Sequence, residues 1–169
     1  GRDGTVAMPL PCSFSIREDT SVVVWAAGEP VPQLYASQIE DWSQVTREIE
    51  AFTCLVQGVL PTLRRNAGCL VALTTAALER HSPADVLSTA PKGAISAIVR
   101  AIAREEGRYG VRANEVAVGA IRAGMFEKID FPTGWEEAVE RNVPLGRLGT
   151  AQDVADHVQE RHFWMALFE

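Results

Sequence analysis

The periodicity of this sequence predicts an α/β fold layered around a mostly parallel sheet. Three apolar runs point to it: "SVVVWAA" (residues 21–27), "CLVALTT" (69–75) and the less uniform "VRANEVAVG" (111–119). A run that does not alternate polar with apolar reads as a strand buried on both faces. Between the runs the apolar spacing changes to three and four, the helical period. Strand, helix, strand, helix, strand at these lengths implies right-handed βαβ units.

Each element has its own justification. The first strand is closed by Gly28. From Trp42 onward, Val45, Ile49, Phe52, Val56, Val59 and Leu60 form one stripe, predicting a helix of about five to six turns that kinks or ends near Pro61. "NAG" then introduces the second strand. A second long helix spans about residues 88–107, and its Ala90, Ala94, Ala97 and Ala101 make a small-residue ridge that lets a neighbouring backbone come close. A third helix is expected to begin at Thr150, where "TAQD" is a capping box with Asp in place of Glu.

Composition bounds the function classes. The 169 residues suit one domain, 1–169, with an atypical opening segment (1–20) and an atypical apolar tail (159–169). Sixteen basic against 22 acidic residues give a formal charge of −6, with no basic run, which argues against a nucleic-acid groove. The apolar runs are too short and interrupted for a membrane span. Cys12, Cys54 and Cys69 are few and widely spaced, so neither a disulfide framework nor a metal site is expected. Cys54 and Cys69 read as small core residues, and a reducing cytoplasm fits. His157 and His162 are five apart, off the spacing that places two ligands on one helical face, so no metal is expected.

Four stretches, "VVVWAAGEP", "GCLVALTTAA", "STAPKGAISAIVRAIAREEGRYGVRANEVAVGAI" and "PLGRLGTAQDVADHV", share an order and spacing with one family. Over roughly residues 22–158 the sequence resembles the short-chain dehydrogenase/reductases. That resemblance implies a Rossmann-like three-layer fold. The sheet is reduced: a glycine-rich first βα unit (TGxxxGxG) and a last strand have no counterpart in this sequence. The strand 21–27 would then lie at an edge needing cover, for which "GTVAMPL" (4–10) is the candidate within the chain.

The resemblance also assigns positions. The family's Asn-Asn-Ala-Gly corresponds to Trp25, Ala26, Ala27 and Gly28. Its helix asparagine, which holds a water in a proton relay, falls at Glu48 when aligned through Gln57 and Pro61, or at Ile49 when aligned through Trp42. Its catalytic serine corresponds to Thr75, its tyrosine to Ser88 and its lysine to Lys92 itself. The Pro-Gly and Thr positions after the next strand read Val118, Gly119 and Ala123. Candidate catalytic residues are therefore Thr75, Ser88, Lys92 and Glu48, with Gly28 and Gly119 toward a cofactor.

Each position has a plainer role beside it. Lys92 can be a surviving catalytic base or a solvated lysine at a helix start; Ser88 suits an N-cap, Thr75 can cap a strand, and Glu48 can be an exposed helix residue or pair with Lys92 to close the pocket. With Ser88 at the tyrosine position and no phosphate loop, NAD or NADP is not expected as a cofactor. Three functions follow. The chain is a subunit or scaffold that has lost oxidoreductase activity and forms homo- or hetero-oligomers through its two long helices. Alternatively it is a non-redox enzyme (proton transfer, dehydration or cyclisation) or small-molecule binder, or an oxidoreductase completed by a partner chain.

Overall fold

A computed structural model describes residues 15–27, 39–80, 85–124 and 133–164. The strands are β1 (Val22–Trp25), β2 (Cys69–Thr75) and β3 (Arg112–Val118). The helices are α1 (Ile39–Asn66), α2 (Val86–Glu106), α3 (Trp135–Asn142) and α4 (Ala151–Trp164), with short 3-10 turns at Ala76–Leu78 and Gly107–Tyr109. The strands form one parallel sheet in the order β1-β2-β3. Alternation along β2 divides the core. Leu70 and Ala72 pack with Phe52, Val56, Val59 and Leu63 of α1 and Ile95, Val99 and Ile102 of α2. On the opposite face Cys69 and Val71 join Val116 beneath Val158 of α4. These are the three layers of a reduced Rossmann-like fold.

The amino edge of the sheet is tied at one place. Helix α1 ends with Ala67 in the left-handed region (φ 45°), and the Gly68 N–H reaches back to the Leu63 carbonyl at 2.9 Å. A Cβ at Gly68 would lie 2.6 Å from both the Leu63 side chain and the Ser21 carbonyl oxygen, so only glycine fits. The Cys69 N–H then donates to Ser21 and the Arg112 N–H to Gly68, which starts the three strands together. Arg64 and Glu106 join the ends of α1 and α2 through bonds of 2.5 and 2.6 Å. The bound guanidinium holds the Glu106 carboxyl below the usual carboxylate range.

Several sequence expectations change. Helix α1 passes through Pro61 and ends only at Asn66. Pro61 is on the exposed side, where water can satisfy the carbonyl its missing N–H leaves, while Thr62 and Leu63 bury the turn that follows. The short amphipathic α3, with Glu136 and Glu137 in its first turn and Arg141 in its last, was not anticipated. The segment Val86–Tyr109 is, by length and composition alone, long and apolar enough to cross a membrane, contrary to the sequence reading. Its Leu87, Ile95, Val99 and Ile102 are buried in this fold. Cys54 is disulfide-bonded rather than a free core thiol. Cys69 is free and fully buried, and burial pushes its thiol up.

The Thr150 cap is found as expected. The Thr150 hydroxyl accepts from the Asp153 N–H at 3.1 Å, and the Asp153 carboxylate accepts from the Thr150 N–H at 2.8 Å. Arg147 also binds that carboxylate, which is held well below the usual range. The proposed cover strand 4–10 and the tail beyond Trp164 lie outside the described residues. Among the described residues nothing pairs with the outer edge of β1, where Val24 is 46% exposed.

Phe52 is fully buried and meets Trp25 edge-on at 5.4 Å between ring centroids. Phe52→Ala is expected to cost about 3–5 kcal/mol in urea unfolding. Leu145→Ala, at a residue 78% exposed, should change stability by no more than about 0.5 kcal/mol.

Candidate functional site

In a parallel α/β sheet, ligand-binding groups gather where the strands end. Here β1 stops at Trp25, β2 at Thr75 and β3 at Val118, and both long helices begin on that side. Lys92 and Glu48 meet there. On α2, Lys92 leads the buried stripe of Ile95, Ser96, Val99, Ile102 and Glu106. On α1, Glu48 lies one turn before Phe52, in phase with Val56, Val59 and Leu63. When the two stripes close on the sheet, the two charged ends come together.

The Lys92 ammonium forms an ion pair and hydrogen bond with the Glu48 carboxylate. It also donates to the Ala27 carbonyl oxygen at 3.0 Å, two residues beyond the end of β1. The Lys92 and Glu48 side chains are only 11% and 16% exposed. An ammonium so far out of water is tolerated because it is paired and hydrogen-bonded. Of the readings open for Lys92, the solvated surface lysine is therefore not what is observed. Of the two helix alignments, it is Glu48 that reaches Lys92, while Ile49 is half-buried.

The remaining candidates are not joined to this pair. Thr75, half-buried, accepts from the Ala77 N–H at 3.2 Å and so caps the 3-10 turn after β2. Ser88 is half-buried inside the first turn of α2, not at its cap. The cap position is Asp85, whose carboxylate accepts from the Thr89 hydroxyl at 2.9 Å. Among the described residues neither Thr75 nor Ser88 bonds to Lys92. Gly119 is exposed, with nothing within 4 Å of where a Cβ would lie. Gly28 lies outside the described residues. Trp25, at the family's first asparagine position, is turned into the core against Phe52.

Sequence reasoning missed one participant. The Ala27 carbonyl is a backbone group with no residue signature. The burial of Lys92 did have a signal, because both charges fall in phase with apolar stripes.

Comparison with known proteins places this geometry. Residues 19–159 match the family profile described as "Enoyl-(Acyl carrier protein) reductase". An uncharacterized oxidoreductase of Bacillus subtilis is 33% identical over 103 residues, covering 60% of this chain and 42% of that protein. Human (3R)-3-hydroxyacyl-CoA dehydrogenase is 30% identical over 142 residues, 82% of this chain and 54% of its own length. The chain thus spans about half the length of the curated relatives it matches. Two solved structures share the fold. ElxO with NADP bound has a TM-score of 0.74 at 22% identity, over 85% of this chain and 60% of its own. An NADPH-bound short-chain oxidoreductase of Pseudomonas aeruginosa, "Containing an Atypical Catalytic Center", has 0.69 at 24% identity, over 83% and 58%.

These relatives overturn the expectation that no nicotinamide cofactor is used. Proteins of this fold are solved with NADP and NADPH, one of them around an atypical centre, so a changed catalytic position is no argument against a cofactor. With its profile match across residues 19–159, its relatives and its three-layer sheet, the chain belongs to the short-chain dehydrogenase/reductase family.

Proposed function

We propose that this chain has given up the family's tyrosine-dependent carbonyl–alcohol chemistry and works through association of its α1–α2 face. The engagement of Lys92 carries the reading. By resemblance, the family's lysine lowers the pKa of a tyrosine that gives its proton to a developing alkoxide. Here Ser88 stands at the tyrosine position, and a serine hydroxyl is a far weaker and shorter proton donor. The positive charge of Lys92 is met by Glu48 instead. On this reading the lysine has become a structural tie between β1, α1 and α2.

Association is supported by the ridge on α2. Ala90 and Ala94 are half-buried, and Ala97 and Ala101 are exposed. They lie away from Lys92, which faces the core, so a second chain can approach without disturbing the ion pair.

This reading concerns the chemistry and leaves a nicotinamide cofactor in place. On the nicotinamide side, Lys92 has one N–H that neither Ala27 nor Glu48 takes and that would reach a ribose hydroxyl, and Gly119 leaves its backbone open to approach. When bound, the cofactor supplies or accepts a hydride.

One observation favours a second reading, an oxidoreductase with a non-tyrosine centre. An ammonium has three N–H bonds, and Ala27 and Glu48 take two of them among the described residues. The third is available to a substrate oxygen.

Three measurements bear on these readings. If Lys92 is structural, Lys92→Ala should cost about 3–5 kcal/mol, because it leaves a carboxylate uncompensated; the double variant Lys92→Met/Glu48→Leu should recover most of that loss. Equal losses in the single and double variants would show no coupling. Incubation with a 3-hydroxyacyl-CoA and either oxidised nicotinamide cofactor should give no rise in absorbance from the reduced form. Turnover that Lys92→Met abolishes would install the second reading instead. Ala97→Arg should yield a smaller species by light scattering. An unchanged mass, with circular dichroism intact, would rule out this face.

A further inference from the structure

We propose that Glu48 is a built-in competitor at the cofactor site. Its carboxylate occupies the Lys92 ammonium that a ribose diol needs, so a nicotinamide nucleotide binds only by displacing it, and Glu48 thereby sets the affinity. The proposal does not depend on whether the chain turns over any substrate.

The argument begins with the number of donors. Lys92 offers three N–H bonds. One is held by the Ala27 carbonyl at 3.0 Å and one by Glu48. A vicinal diol presents two hydroxyl oxygens, and the ammonium has one donor left for them. Engaging both requires one existing partner to leave. Ala27 offers a backbone carbonyl two residues beyond β1, set by the chain path rather than by rotatable side-chain bonds. Glu48 is held by side-chain torsions alone, so it is the partner that yields.

The exchange is unequal. The bond to Glu48 joins two charges, and such bonds are roughly twice as strong as neutral ones. A ribose hydroxyl is a neutral acceptor. The Glu48 side chain is 16% exposed and the Lys92 side chain 11%, so water offers little compensation for either charge once they part. The contact therefore weakens nucleotide binding by about tenfold or more, the difference between a charge-assisted and a neutral hydrogen bond. A neutral amide at position 48 keeps an acceptor near Lys92 without its charge, and so removes the penalty while preserving the shape.

The test is a fluorescence titration of the full chain with NADPH, repeated with NADH. Glu48→Gln should bind with a Kd about tenfold lower than the unaltered protein. That gain should vanish when Lys92→Met is added, because the competition is for the ammonium. Glu48→Asn provides a second, smaller amide should Glu48→Gln fail to fold by circular dichroism. Unchanged or weaker binding in the folded amide variant overturns the proposal, as does a gain that survives Lys92→Met. Absence of saturable binding in every folded variant also overturns it. Turnover with a 3-hydroxyacyl-CoA is a separate readout: tighter binding without turnover supports this inference and the loss of chemistry together. Turnover without tightening removes both.

Discussion

A lysine ammonium that has left bulk water needs an opposite charge beside it, and the upper half of this fold is organised around that need. Lys92 is in phase with the apolar stripe of α2, so the packing of Ile95 and Val99 against the sheet carries it inward. Glu48 is in phase with Phe52 on α1 and is carried inward by the same packing. Either charge alone would be a heavy liability at that depth. Together they are tolerated, and through them α1, α2 and the end of β1 are joined.

The two edges of the sheet divide the labour. At the amino edge, Gly68 leaves no room for any side chain where the strands start, and the Arg64–Glu106 pair joins the ends of α1 and α2. At the carboxyl edge the contacts are made by long side chains, which can exchange partners. A family that varies its chemistry over a constant sheet gains from this arrangement, since a substitution at position 48 or 88 leaves the tied edge untouched.

Much of the fold was legible because burial imposes patterns. The β2 run, residues 69–75, coincides with the observed strand, and the Thr150 cap is where its motif put it. Helix α1 was read too short because Pro61 is a local signal, and the burial of Leu63 overrode it. Helix α3 was missed because eight residues give too few turns for a clear stripe. The site was half legible. Resemblance named Lys92 and offered Glu48, and their phase with the stripes already hinted at a meeting. Ser88 was misjudged as a cap because Asp85, three residues earlier, is an equally good capping residue and takes the cap position. The Ala27 carbonyl had no signature to read.

The unequal lengths of the strands bear on that carbonyl. All three strands begin level, with Val22 beside Cys69 and Cys69 beside Arg112, but β1 pairs only as far as Ala72, while β2 and β3 run on together to Thr75 and Val118. The sheet therefore ends in a terrace, one step lower on the β1 side. On a flush edge the peptide at residue 27 would spend its oxygen on the ladder. On the terrace that oxygen is released sideways, and the ammonium of Lys92 has somewhere to rest.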